Sequence, residues 1–131
     1  MFDDIKEILK NLVFAPRQDQ IQIDFDSEER IFILSIPIYV AKSSISRAVK
    51  KYVERRKNRV FKPHATSFHL EADQEVLLIQ KIPFRFGLDF GSRQEIFDFL
   101  QLAKRCHRML YEIAFEETYQ SALSLDSSQS V

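Results

Sequence analysis

Ser67-Phe68-His69-Leu70-Glu71-Ala72-Asp73-Gln74-Glu75-Val76-Leu77-Leu78-Ile79 carries the pattern on which the fold turns. One strand, Ser67 to Glu71, gives way to the polar link Ala72-Asp73-Gln74 and then to a second strand from Glu75 to Phe86. Val76-Leu77-Leu78-Ile79 is apolar at four successive positions. Successive side chains of a strand point to opposite faces, so such a run belongs in the middle of a sheet.

Upstream, residues 43 to 57 change to helical spacing, with Ile45, Ala48, Val49, Tyr52 and Val53 on one stripe. Pro63 closes the linker that follows. Earlier still, Ile21, Ile23 and Phe25 alternate with Gln22 and Asp24, the period of a half-buried strand. Asp26-Ser27-Glu28-Glu29 supplies turn chemistry, because short polar side chains bond to the neighbouring backbone. Ile31 to Val40 resumes the β pattern, with Pro37 marking an edge or a break into two short strands.

At the N-terminus, Ile5, Ile8, Leu9, Leu12 and Val13 predict an amphipathic helix over residues 2 to 14, stopped by Pro16. Downstream, Ser92 with Glu95 forms a capping box. A long helix follows, its stripe marked by Ile96, Phe99, Leu100, Ala103, Leu110, Ile113 and Ala114 and widened by Leu102, Cys106 and Met109. The order is helix, two or three strands, helix, two strands, helix: an α+β domain in which helices pack on an antiparallel sheet. Residues 1–120 form that single domain, and the Ser-rich stretch 121–131 is expected to be disordered.

The chain has 131 residues and is 45% hydrophobic, enough for one core without disulfides or metal. One cysteine, Cys106, rules out an intrachain disulfide and fits a reducing, cytoplasmic setting. Acids at Asp3 and Asp4 stand where a secretory signal carries bases, and no apolar run reaches membrane-spanning length. Lys+Arg and Asp+Glu balance at 19 each, yet they are segregated. Between Lys42 and Lys62 stand nine bases against one acid, Glu54, while acids gather at Asp19 to Glu29, Glu71 to Glu75 and Glu112 to Glu117. Opposite patches on a neutral protein favour association with itself or with others.

Catalytic chemistry finds little to stand on. His64, His69, His107 and Cys106 have no zinc spacing, and Cys106 and His107 point about 100° apart as helix neighbours. Cys106 lies on an apolar stripe, where a thiol behaves as a small hydrophobe. Asp89-Phe90-Gly91 spells a kinase triplet in a chain far too short for that fold. No Walker, dinucleotide or nucleophile-elbow motif occurs. The expectation is a non-enzyme with no cofactor and no metal.

Two binding surfaces compete. Lys50, Lys51, Arg55, Arg56, Lys57 and Arg59 line the second helix, with Tyr52 and Phe61 near enough to stack, as nucleic-acid binding would need. The alternative is apolar: Ile31-Phe32-Ile33-Leu34 and Val76-Leu77-Leu78-Ile79 put large groups on both sheet faces, and the helices cover one. The other face then takes a second copy or an extended client, or is covered by loops or a third sheet layer of the chain itself.

The layout resembles the class I chaperones of type III secretion, the CesT-like family. The likeness spans about residues 2 to 118. It rests on the first amphipathic helix, the hairpin around Asp24-Phe25-Asp26-Ser27-Glu28, the Phe68-to-Leu78 strand-turn-strand, Ile82-Pro83-Phe84 and the capped last helix. The resemblance implies a homodimer that holds an extended segment of a secreted effector and catalyses nothing. It places client contacts at Ile23, Phe25, Phe32, Leu34 and Ile36, and the dimer interface at Val49, Tyr52 and Val53. The YbjN-like domains share the pattern and imply a regulatory or assembly partner instead.

Overall fold

A computed structural model describes residues 2–13, 15–41, 45–56, 65–72, 74–83 and 93–129. Three helices, α1 (Phe2–Val13), α2 (Arg47–Arg56) and α3 (Arg93–Gln129), accompany four strands, β1 (Gln22–Asp26), β2 (Ile31–Val40), β3 (Ala65–Glu71) and β4 (Glu75–Pro83). The strands form one antiparallel sheet in the order β1-β2-β4-β3, so the fold is α+β as the periodicity predicts.

Each hairpin follows from local chemistry. Asp26 Oδ1 accepts the backbone N–H groups of Glu28 and Glu29 at 3.0 and 3.3 Å, a side chain standing in for a turn carbonyl. Arg30 then takes a positive φ of 54°, which reverses the chain into β2. The second hairpin turns through Ala72, also at positive φ.

β2 corrects the expectation built on Pro37. It is one ten-residue strand in the sheet interior, not an edge or a pair of fragments. Pairing with β1 stops at Ser35↔Gln22, so Pro37 lies beyond the reach of that neighbour. On the other side, the pairing with β4 shifts between Pro37 and Tyr39, a bulge at the proline.

Directly paired residues share a face, so the registers sort the sheet. Phe32, Leu34, Ile36, Val76, Leu78, Ile82 and Phe68 point to the helix side and, apart from the half-buried Phe32, are buried. α3 lies over β2, α2 lies beside β3 and α3, and α1 packs on α3. Phe99, Ala103, Leu110 and Ala114 of α3 complete the core with Val49 and Val53 of α2. On the opposite face Ile31, Ile33, Leu77 and Ile79 are half-buried.

Three further expectations meet the structure differently. Leu9, assigned by spacing to the buried stripe of α1, is 45% exposed, because α1 packs mainly on α3 and needs only a narrow face. Ser92 of the capping box lies outside the described residues, so only Glu95, in the first turn of α3, is placed. α3 continues through Gln129, into the stretch whose composition suggests disorder. Once a helix exists, each added residue gains a hydrogen bond without a new nucleation cost.

Candidate functional site

β1 stands beyond the helix layer. Ile23 pairs with Leu34 and Phe25 with Phe32, so both β1 side chains project toward the helix side. Among the described residues no helix packs extensively over β1, and Ile23 is 45% exposed and Phe25 51%. The Phe25 ring leans on half-buried Phe32, centroids 4.9 Å apart, and joins the exposed pair to the core. Among the described residues β1 is also an edge strand, the kind of element that accepts another strand. Its other face carries Gln22, Asp24 and Asp26. Of the five client contacts expected here, Ile23, Phe25 and Phe32 form one surface. Leu34 and Ile36 do not join it: both are wholly buried in the domain's own core.

The residues expected at a dimer interface are likewise engaged internally. Val49 and Val53 have no exposed surface. Tyr52 packs near Phe68, with centroids 6.3 Å apart, and donates its hydroxyl to Met109 Sδ at 3.1 Å. Its ring face is taken by the Arg56 guanidinium at 3.7 Å, which also donates to the Tyr52 carbonyl. Strand pairing and helix packing settle burial here, whereas spacing identifies only which side of α2 is apolar.

The same stack bears on the basic patch. The Arg56 guanidinium covers one face of the Tyr52 ring, so that face is closed to a nucleobase. Lys51 and Arg55 are exposed on one flank of α2, Lys50 is half-buried on another, and Lys57, Arg59 and Phe61 lie outside the described residues. The helix twist therefore spreads these bases instead of focusing them.

Beside that exposed flank runs a groove of about 580 Å³ between α2 and α3. Ala48, Met109 and Ile113 form its apolar floor, and Glu112, Glu116 and Glu117 stand along α3. Glu117 Oε2 accepts the Ala48 N–H at 2.8 Å and the Ser46 hydroxyl, while Ser46 Oγ accepts the Val49 N–H at 3.5 Å. α2 has no acid in its own first turn, so Glu117 supplies the negative charge that a helix N-terminus favours.

A third site closes the half of β2 that β1 leaves unpaired. Tyr111 Oη accepts the Val40 N–H at 3.0 Å and donates to the Val40 carbonyl at 3.1 Å, as one residue of a neighbouring strand would. One turn earlier, His107 Nδ1 donates to the Ile38 carbonyl at 3.1 Å. Its other ring nitrogen, Nε2, is buried and without a partner among the described residues. A pocket of about 180 Å³, lined by Asn11, Gln20, His107 and Tyr111, fills the gap between β2 and the 3-10 turn at Gln18–Gln20. The i, i+4 spacing of His107 and Tyr111 on a helix is the only sequence signal for this arrangement, and it does not name the strand they serve.

Chemically, Cys106 is inert: it is buried, and burial pushes its thiol up to about 11. His69 is exposed beside Glu71, and His64 lies outside the described residues. Among the described residues no group of three His, Cys, Asp or Glu side chains is placed to hold a metal ion. No described helix is long and apolar enough to cross a membrane. No protein-family model matches the chain, and no curated protein matches its sequence.

Proposed function

We propose that this domain is a protein-binding module that holds an extended segment of a secreted effector. It works without catalysis, as a cytoplasmic homodimer, in the manner of the type III secretion chaperones it resembles. The observation that carries the reading is the pair Ile23 and Phe25: two large apolar side chains exposed on an edge strand and continuous with the core through Phe32. A client strand laid along β1 would extend the ladder and cover both side chains, combining backbone hydrogen bonds with apolar burial.

The test is an array of overlapping peptides from the N-terminal regions of secreted effectors, probed with the wild-type domain and with Phe25→Asp. Phe25 is half outside the core, so the variant folds, which circular dichroism checks. Retention of a subset of peptides that weakens about tenfold or more in the variant supports the reading. No retention, or retention indifferent to the substitution, overturns it.

A further inference from the structure

We propose that the groove between α2 and α3 docks a basic amphipathic helix of a partner protein, its apolar side on Ala48, Met109 and Ile113 and its bases against Glu112 and Glu116. This surface is separate from the one that carries the proposed function. α2 packs beside β3, whereas β1 is the opposite edge of the sheet.

The charge of the groove selects the sign of its occupant. Its lining holds three carboxylates, Glu112, Glu116 and Glu117, and no base. Glu117 is committed to the N-terminus of α2 through Ser46 and the Ala48 N–H. Glu112 and Glu116 are exposed. Among the described residues Glu116 has no ion-pair partner, and Glu112 pairs with Arg108 of its own helix at 3.1 Å. Both side chains of that pair are more than half exposed, so it contributes little and yields readily to a partner's base. A polyanion or an acidic segment meets repulsion here.

The layout of the groove selects a helix. Met109 and Ile113 are four residues apart on α3, and so are Glu112 and Glu116, three positions further along. Residues three and four apart on a helix are surface neighbours. An apolar row and an acidic row therefore run side by side, each stepping about 6 Å. A second helix laid along α3 repeats that step, with an apolar row for the floor and a row of Lys or Arg beside it. Both walls are helices, which bond their backbone groups internally, so an extended segment finds no ladder to join. A helix satisfies its own backbone and needs only the side chains that the groove presents. Met109 supplies a floor that adapts to the shape of what it meets.

Two fluorescent peptides of about 18 residues, long enough to hold a helix, allow a test by anisotropy. Both carry leucines at i, i+4 spacing on one side; one flanks them with lysine and the other with glutamate. The lysine peptide is expected to saturate the domain and to weaken as salt rises toward about 1 M. Glu112→Lys/Glu116→Lys is expected to weaken it by about tenfold or more and to reverse the preference, so that this variant takes the glutamate peptide. Ala48→Phe fills the floor and is expected to weaken the lysine peptide with every charge in place.

Glu112 and Glu116 are exposed and Ala48 is half-buried, so the variants keep the fold, which circular dichroism checks. Phe25→Asp, on the far edge of the sheet, is expected to leave binding unchanged, so the outcome is independent of whether β1 captures a client. No binding of the lysine peptide overturns the proposal. So does binding that neither groove variant weakens, or equal binding of the two peptides, which marks an apolar patch without charge selection. Sedimentation equilibrium supplies the last check: a wild-type dimer that Ala48→Phe dissociates makes a second copy the occupant and overturns the proposal too.

Discussion

Replacing Tyr111 with phenylalanine removes one oxygen and with it the closure of an unpaired stretch of strand. The ring contacts with Tyr39 and His107, at centroid distances of 4.6 and 4.7 Å, are kept, so the change isolates the hydroxyl. Two hydrogen bonds go, one from the Val40 N–H and one to the Val40 carbonyl. A typical bond contributes about 0.5–1.5 kcal/mol net, and leaving a buried partner unsatisfied raises the loss. Val40 is 50% exposed, so water recovers part of it.

The expected cost is therefore about 2 kcal/mol, near one per bond. For a chain of 131 residues this lowers the melting temperature by about 7 °C. Urea unfolding measures the free energy, and amide exchange at Val40 locates it: protection there falls more than in β3 or the centre of β4. A variant within about 0.5 kcal/mol of wild type, the range of an ordinary surface substitution, would refute the claim that Tyr111 takes the place of a strand.

Two other outcomes follow from the same contacts. Glu117→Ala deprives the N-terminus of α2 of its carboxylate, with an expected loss of about 2 kcal/mol, and Glu117→Gln, which keeps an acceptor but no charge, loses about half of that; equal stability of all three proteins in thermal melts would remove the cap from the account. Stability is expected to fall as pH climbs from about 9 to 12, because burial raises the Tyr39 phenol from 10.0 to about 12 and the Cys106 thiol from 9.0 to about 11. The folded chain keeps protons in that window which the unfolded chain releases, so rising pH favours unfolding. Tyr39→Phe should flatten the upper part of the alkaline limb, and a thiol reagent at pH 8 should label native Cys106 far more slowly than urea-unfolded protein.

Phe25 and Leu34 explain why the client surface was only partly legible. Both sit on β-periodic runs, and alternation places them on the same side of the sheet. Nothing local distinguishes the strand that lies under α3 from the one that extends past it. Burial depends on where the helix layer ends, and that is settled by contacts between elements far apart in sequence. α2 makes the same point. Its stripe at Val49, Tyr52 and Val53 is readable from spacing, but whether an apolar stripe meets its own core or a second copy is not.

What the sequence determined by itself is whatever depends on neighbours within a few positions. Two alternating runs, the polar turn at Asp26 to Glu29 and three helical stripes specify an α+β domain, since backbone period and turn chemistry are local properties. Tertiary structure decided the rest. Pro37 suggests a broken or edge strand, yet β2 lies inside the sheet because β1 is short and a bulge absorbs the proline. Tyr111 closes β2 from 71 residues away, and Glu117 caps α2 from 69 residues away. Ala48 of α2 joins Met109 and Ile113 in the floor of a groove only because α3 runs beside α2. Such pairings depend on packing in three dimensions, and no spacing along the chain encodes them.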